Sequence, residues 1–353
     1  MEPYIYLRGL RRAEHTVFCV DDGQKTYYDP QFNKVVAYSS GQQVKRSILD
    51  ALTSQLNVKN APITFNYNIN KKNGLENKEP WSPADPSYVD QLIGGWMRAD
   101  GENPTVKRRS PLSISAMRPL HPYLAGTVRE IISFDRSDEP DHHPVRVMMA
   151  GRDEPLSEEE IQEFLDEHNR TLPRRNWIPE NTRTTGLFIY DVAIDLRTLF
   201  SVSMNQHERA LTKDKIEKLK EDGWIEGENV FGQCLIMPEE ERDKVIPAFA
   251  HALINWRITS NQSRTFSLME PLAVAVSQNA NRIAGSIRAK LDPDSDFMKA
   301  KPIIEELDDA DLYVTLSCGG YVPVNNESAD ALEKAEEKLV ELMRSFEYEN
   351  QTG

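Results

Sequence analysis

The sequence predicts an α+β fold, with α/β as the alternative, and three observations carry that reading. Runs with the two-residue alternation of strands interleave along the chain with stretches whose apolar residues recur at helical spacing. The chain has 353 residues, long enough for one large domain or two ordinary ones. Its 39% apolar and 28% charged residues are ordinary for a folded, soluble protein with a core. Whole-chain disorder and a disulfide scaffold are excluded.

Taken in order, Tyr4–Leu7 is β-rich and leads into Arg8, Arg11 and Arg12; a second run covers Thr16–Val20. Asp21-Asp22-Gly23 reads as a turn, so the chain opens with two strands around a basic segment. The clearest helix spans 39–56. Ser40 and Gln43 fit a capping box, and Val44, Ile48, Leu52 and Leu56 form a stripe at four-residue spacing. Lys45 and Arg46 sit in its first turns, where the helix dipole disfavours cations. They face a phosphate there, or they are solvated surface cations.

Residues 57–111 are rich in Asn, Lys, Pro and Gly and read as a protruding insertion, with a short helix from Asp85 to Ile93. Strands are predicted at Leu112–Met117, Thr127–Phe134 and Val145–Met149. Residues 135–185 hold a second polar insertion with a capped helix at Ser157–His168 and a basic stretch from Arg170 to Arg183. A strong strand covers Gly186–Val192. Then come a β-like Leu199–Met204, a helix at Thr212–Asp222 closed by Gly223, and a strand at Gln233–Met237. A buried helix spans Val245–Ile258, with Pro247 tolerable only in its first turn. Phe266–Met269 and Leu272–Val276 are β-like, Leu312–Leu316 is the last strand, and Ser328–Phe346 is an amphipathic helix.

The three cysteines, Cys19, Cys234 and Cys318, are far apart and form no C-x-x-C pair, so reduced thiols and no cysteine zinc site are expected. No apolar run approaches the roughly 18 residues of a membrane span. The opening Met1-Glu2-Pro3-Tyr4 lacks the basic and apolar regions of a secretory signal. A cytoplasmic protein without membrane partners is expected.

The formal charge is −14, but it is unevenly spread. Residues 1–120 carry 16 Lys and Arg against 12 Asp and Glu; the remainder carries 26 against 44. Local fields govern a binding groove, so a basic face on an acidic protein is compatible with this balance.

The common enzyme signatures are absent: no G-x-x-x-x-G-K-[ST], no G-x-G-x-x-G, no G-x-S-x-G and no H-E-x-x-H. His142-His143 lies in an acidic stretch and reads as surface. Asp21-Asp22, with Lys25 nearby, either positions a metal or a 2′-hydroxyl or is turn chemistry. No metal or other cofactor is expected.

Four clusters of basic residues, three of them with Ser, Asn or Gln, offer cations for phosphates and polar groups for sugar contacts. They are Arg8, Arg11, Arg12 and His15; Ser39, Ser40, Gln42, Gln43, Lys45 and Arg46; Lys107, Arg108, Arg109 and Ser110, with Arg118 nearby; and Arg257, Asn261, Gln262, Ser263 and Arg264. Each alone could be a solvated face. Four at strand ends and loops are what a single-strand groove needs. The aromatic signature of an RRM is absent.

Four stretches resemble one family in order. They are Tyr4–Arg12; Asp29–Arg46, ending Tyr38-Ser39-Ser40-Gly41-Gln42-Gln43-Val44-Lys45-Arg46; Asp90–Met97 followed by Lys107-Arg108-Arg109-Ser110-Pro111-Leu112; and Gly186–Leu196. Arg264–Ala275 adds a fifth, similar to the family's "R-x-F-S-x-φ-x-P" run. The chain resembles the backbone subunit of CRISPR Cascade-type complexes, in the DevR-like branch of the RAMP superfamily. Its long 135–185 insertion and acidic second half depart from the pattern.

The resemblance implies a modified RRM/ferredoxin-like palm across 1–353 with finger and thumb insertions. Residues 57–111 would be the finger, 135–185 a second insertion that could serve as thumb, and 186–353 the rest of the palm with a loop at 259–277. It implies a non-catalytic, type I subunit of an antiviral CRISPR interference complex. Copies would polymerise along the guide RNA (crRNA), holding phosphates and sugars without reading bases while target nucleic acid pairs. Its partners would be the crRNA, the target strand, copies of itself and other CRISPR complex subunits. The alternative is a type III-like metal-dependent endoribonuclease cutting target RNA with Asp21 or Asp22.

Overall fold

The computed structural model describes residues 2–18, 24–72, 74–99, 105–136, 144–258, 266–292 and 299–351. The first strand, β1 (Tyr4–Thr16), runs through Arg8, Arg11 and Arg12 without a break, where the sequence suggested two strands around a basic segment. The arginines continue the alternation. Tyr6, Arg8, Leu10 and Arg12 fall on one face and Ile5, Leu7, Gly9 and Arg11 on the other.

A small hairpin, β2 (Thr26–Asp29) with β3 (Lys34–Ala37), leads to α1 (Gly41–Gln55). Ser40 is the N-cap, and its hydroxyl accepts the Gln43 N–H at 3.3 Å. The Val44, Ile48 and Leu52 stripe is fully buried. The exposed hairpin β4 (Thr64–Ile69) with β5 (Leu75–Trp81) follows. The chain returns to the core at α2 (Val89–Gly94), β6 (Trp96–Arg98) and β7 (Val106–Arg108), where Leu92, Ile93, Trp96 and Val106 are buried.

Next come β8 (Leu112–Ile114), β9 (Arg118–Pro119), β10 (Ala125–Asp135), α3 (Glu158–Glu167) and the long β11 (Arg175–Asp195). Val145–Met149 forms no strand: the segment lies outside regular structure, and Val147 and Met149 accept backbone bonds from Leu156 and Arg152. Then follow β12 (Ser201–Ser203), α4 (Lys213–Glu221), β13 (Ile225–Asn229), β14 (Gly232–Ile236) and α5 (Glu239–Asn255).

Helix α5 starts earlier than its apolar pattern suggests, so Pro247 lies inside it rather than in its first turn. Glu239, Glu240 and Glu241 favour the positive end of the dipole. Burial of Val245, Ile246, Phe249, Leu253 and Ile254 outweighs the ~3 kcal/mol that an internal proline costs. Phe266–Met269 is not a strand; β15 (Glu270–Ser277) begins after it. The chain ends with α6 (Ala280–Ser286), β16 (Ile287–Asp292), β17 (Lys299–Ile304), β18 (Asp311–Thr315), β19 (Glu327–Ser328) and α7 (Ala331–Arg344).

Strand β1 sits in the middle of the main sheet, antiparallel to β11 on one side and β15 on the other. The sheet order is β10–β11–β1–β15–β18–β19, with β8 and β9 also on β11. Four of these strands and two intervening helices run β1, α1, β10, β11, α5, β15. Numbered in chain order, the four strands lie side by side as 4-1-3-2.

One face of the sheet packs on α1, α5 and α7 through Ile5, Leu7, Tyr190, Val192, Val274 and Val276. The other face holds a smaller core, where Leu10, Ile189, Leu272 and Val314 meet Ile283, Ile287, Cys318 and Val322. Gly9 is needed where Tyr190 crosses it: a Cβ there would lie 2.2 Å from the Tyr190 ring.

The chain divides into two compact units, 1–127 with 184–353, and 128–183. The second holds α3, whose capping box is complete: Ser157 and Glu160 bond each other's backbone N–H. In that unit Arg175 also grips Asp135 through two bonds of 2.6 and 2.9 Å. Among the described residues no helix is long and apolar enough to cross a membrane, and no three His, Cys, Asp or Glu side chains converge as a metal site.

Candidate nucleic-acid interface

The clustered cations divide sharply by environment. Arg8 binds Asp191 in a fork, Nε to Oδ1 at 2.6 Å and Nη2 to Oδ2 at 3.1 Å, and its Nη1 donates to the Ile287 carbonyl at 3.0 Å. Arg118 adds a third bond to Asp191, at 3.0 Å.

Arg11 is fully buried. Its guanidinium lies 4.4 Å from the Trp256 ring centre and donates to the Met269 carbonyl at 3.1 Å and to the Ile254 carbonyl. Burial lowers its pKa. Arg12 lies 4.9 Å over the Tyr321 ring, with Glu14 at 3.7 Å. Arg11 thus ties β1 to the end of α5 and to the residue before β15.

In the second cluster, Ser39 is buried and donates to Gln43 Oε1 at 2.8 Å, and Ser40 caps α1. Gln42 is exposed, and Arg46 pairs with Asp50 one turn on at 3.0 Å. Lys45 explains its own position on the helix. Its Nζ donates to the Gly94 carbonyl at 2.9 Å and to Ser110 Oγ at 2.6 Å. A cation misplaced on α1 therefore serves the carbonyl end of α2. Desolvation, then the nearby Arg108, lowers its pKa to about 8.

The third cluster alternates as a strand does: Val106 and Arg108 are buried, Lys107 and Arg109 exposed. The Arg108 guanidinium lies 5.4 Å from the Trp96 ring centre. It donates to the Leu92 carbonyl, to Thr198 at 2.6 Å and to Ser201 at 3.1 Å, and desolvation lowers its pKa to about 9. Gly95, at φ 74°, lets this strand approach α2, since a Cβ there would meet the Arg108 carbonyl at 2.6 Å.

Of the fourth cluster, half-buried Arg257 donates to the carbonyls of Asn255 and Trp256 at 3.2 and 2.9 Å. Its pKa is lowered to about 10, by burial and then by Arg11. Asn261, Gln262, Ser263 and Arg264 lie outside the described residues, as do Asp21 and Asp22.

Lys107 and Arg109 open onto a groove of about 770 Å³ that also includes Arg108, Arg197, Tyr4, Trp96, Met97, Asn205 and Phe231. Its cations Lys107, Arg108, Arg109 and Arg197 face the carboxylates Asp195 and Glu208, an excess of positive charge on an acidic chain. Arg197 grips Asp195 with bonds of 2.8 and 2.9 Å and donates to the Tyr4 hydroxyl at 2.6 Å. Its guanidinium lies near two rings, 5.0 Å from the centre of Tyr4 and 4.9 Å from that of Phe231.

The sequence singled out Lys107, Arg108 and Arg109 but missed Tyr4, Arg197 and Phe231, which join them only through the fold. A signal existed for the last: Asn229-Val230-Phe231-Gly232 places two large apolar residues where turns favour polar or small ones.

No family model matches the sequence, and no curated protein matches it. Among solved structures, a chain of a CRISPR RNA-guided surveillance complex in a pre-nicking state aligns over 97% of this chain and 88% of its own, at 10% identity and a TM-score of 0.44. A chain of another CRISPR RNA-guided surveillance complex aligns over 97% and 84%, at 10% identity and a TM-score of 0.38. A likeness at that level fixes neither topology nor role.

Proposed function

We propose that this chain is a non-catalytic, guide-RNA-binding backbone subunit of a CRISPR interference complex. On this reading several copies coat one guide and hold it by phosphates and sugars. The ordered resemblance of residues 4–12, 29–46, 90–112 and 186–196 motivates the reading. The 4-1-3-2 sheet supports it, because that is the strand order of a ferredoxin-like, RRM-type palm.

The observation that carries it is the groove in which exposed Lys107 and Arg109 stand beside aromatic rings. Cations along a cleft with aromatic surface between them suit single-stranded nucleic acid in general. Arg8, Arg11 and Arg108 are engaged inside the fold, and Lys107 and Arg109 meet phosphate. The test is filter binding of single-stranded RNA across a salt series. The reading expects affinity that falls steeply with salt; affinity independent of salt, or no binding at low salt, overturns it.

A further inference from the structure

We infer that the groove beside Lys107 and Arg109 holds one RNA base stacked on Phe231. This inference rests on the RNA-binding reading and adds a base contact to it.

The turn between β13 and β14 consists of Val230 and Phe231, both exposed, with Phe231 61% accessible. Turn geometry does not ask for them. The Asn229 side chain accepts the Phe231 N–H at 2.8 Å, closing the turn, and Gly232 takes the positive φ of 110°. Asn229 is itself buried and tied to Ser201 Oγ at 3.0 Å, so the turn is anchored in the core. Two apolar residues are thus held out at a fixed place by polar neighbours, at a cost in exposed apolar surface that folding does not repay.

What Phe231 faces indicates the ligand. The Phe231 ring centre lies 4.9 Å from the Arg197 guanidinium, which lies 5.0 Å from the ring centre of Tyr4. Arg197 is locked by Asp195 and the Tyr4 hydroxyl, so the Phe231 ring has a rigid support. The groove beside it is apolar at Met97 and Trp96 and cationic at Lys107 and Arg109. A flat heterocycle linked to phosphates matches that arrangement: the base on the open side of Phe231, the flanking phosphates on the two cations. An apolar protein side chain could cover Phe231 but would leave the two cations unmatched.

The experiment compares binding of a short single-stranded RNA with the same strand carrying abasic riboses, using the wild-type chain, Phe231→Leu and Phe231→Trp. The wild type should prefer the intact strand by roughly tenfold or more. Phe231→Leu should lose most of that preference, Phe231→Trp should keep it, and all three should unfold at similar temperatures because the ring is exposed. If the wild type binds both strands equally, or Phe231→Leu keeps the preference, the stacking site is wrong and the RNA-binding reading stands. If no RNA binds at low salt, both fall.

Discussion

Lys45 Nζ donates to Ser110 Oγ at 2.6 Å, joining the first helix to the segment just after β7. The same ammonium also holds the last carbonyl of α2. Burial lowers its pKa from 10.5 to about 8, so between those values the unfolded chain binds the proton and the folded chain does not. Stability from this group therefore rises with pH across that window. Unfolding by denaturant should show the wild type gaining on Lys45→Met between pH 8 and 10.5. A constant difference between the two would contradict the buried amine.

Arg108 and Arg109 are neighbours with opposite fates. Arg108→Ala leaves three backbone carbonyls without their donor and a gap under Trp96, and should destabilise the fold by about 3–5 kcal/mol. Arg109→Ala removes an exposed side chain and should stay within about 0.5 kcal/mol. Denaturant midpoints at constant slope check both.

Salt dependence separates the groove cations from the scaffold cations. Lys107→Ala combined with Arg109→Ala should lower the slope of log affinity against log salt for single-stranded RNA by about 1.4, at ~0.7 for each phosphate no longer neutralised. An unchanged slope would place the phosphates elsewhere.

Asp191 receives Arg8 through two bonds and Arg118 through one. Asp191→Asn should cost roughly 1–3 kcal/mol. In double-mutant cycles the Arg8 coupling should exceed that of Arg118, whose side chain is 37% exposed against 13% for Arg8.

These contrasts explain what the sequence made legible. Alternation and helical spacing revealed α1, α4, α7, the start of β1 and the centres of β11 and β15, because those patterns reflect burial on one face. The arginines of β1 obscured its length, since a charged residue reads as exposed until its partner is known. Asp191 lies 183 positions from Arg8 and Met269 lies 258 from Arg11. Nothing local announces either bond. The groove has the same character: Lys107 and Arg109 were visible as a basic run, whereas Tyr4, Arg197 and Phe231 reach them only through sheet pairing and the β13–β14 turn.

The most direct test of the central claim is co-expression with a guide RNA, purification without nuclease, and the 260 to 280 nm absorbance ratio with a denaturing gel. A large particle carrying discrete RNA of uniform length is the predicted result. A nucleic-acid-free protein at a single low mass, which also fails to bind added single-stranded RNA at low salt, would contradict it.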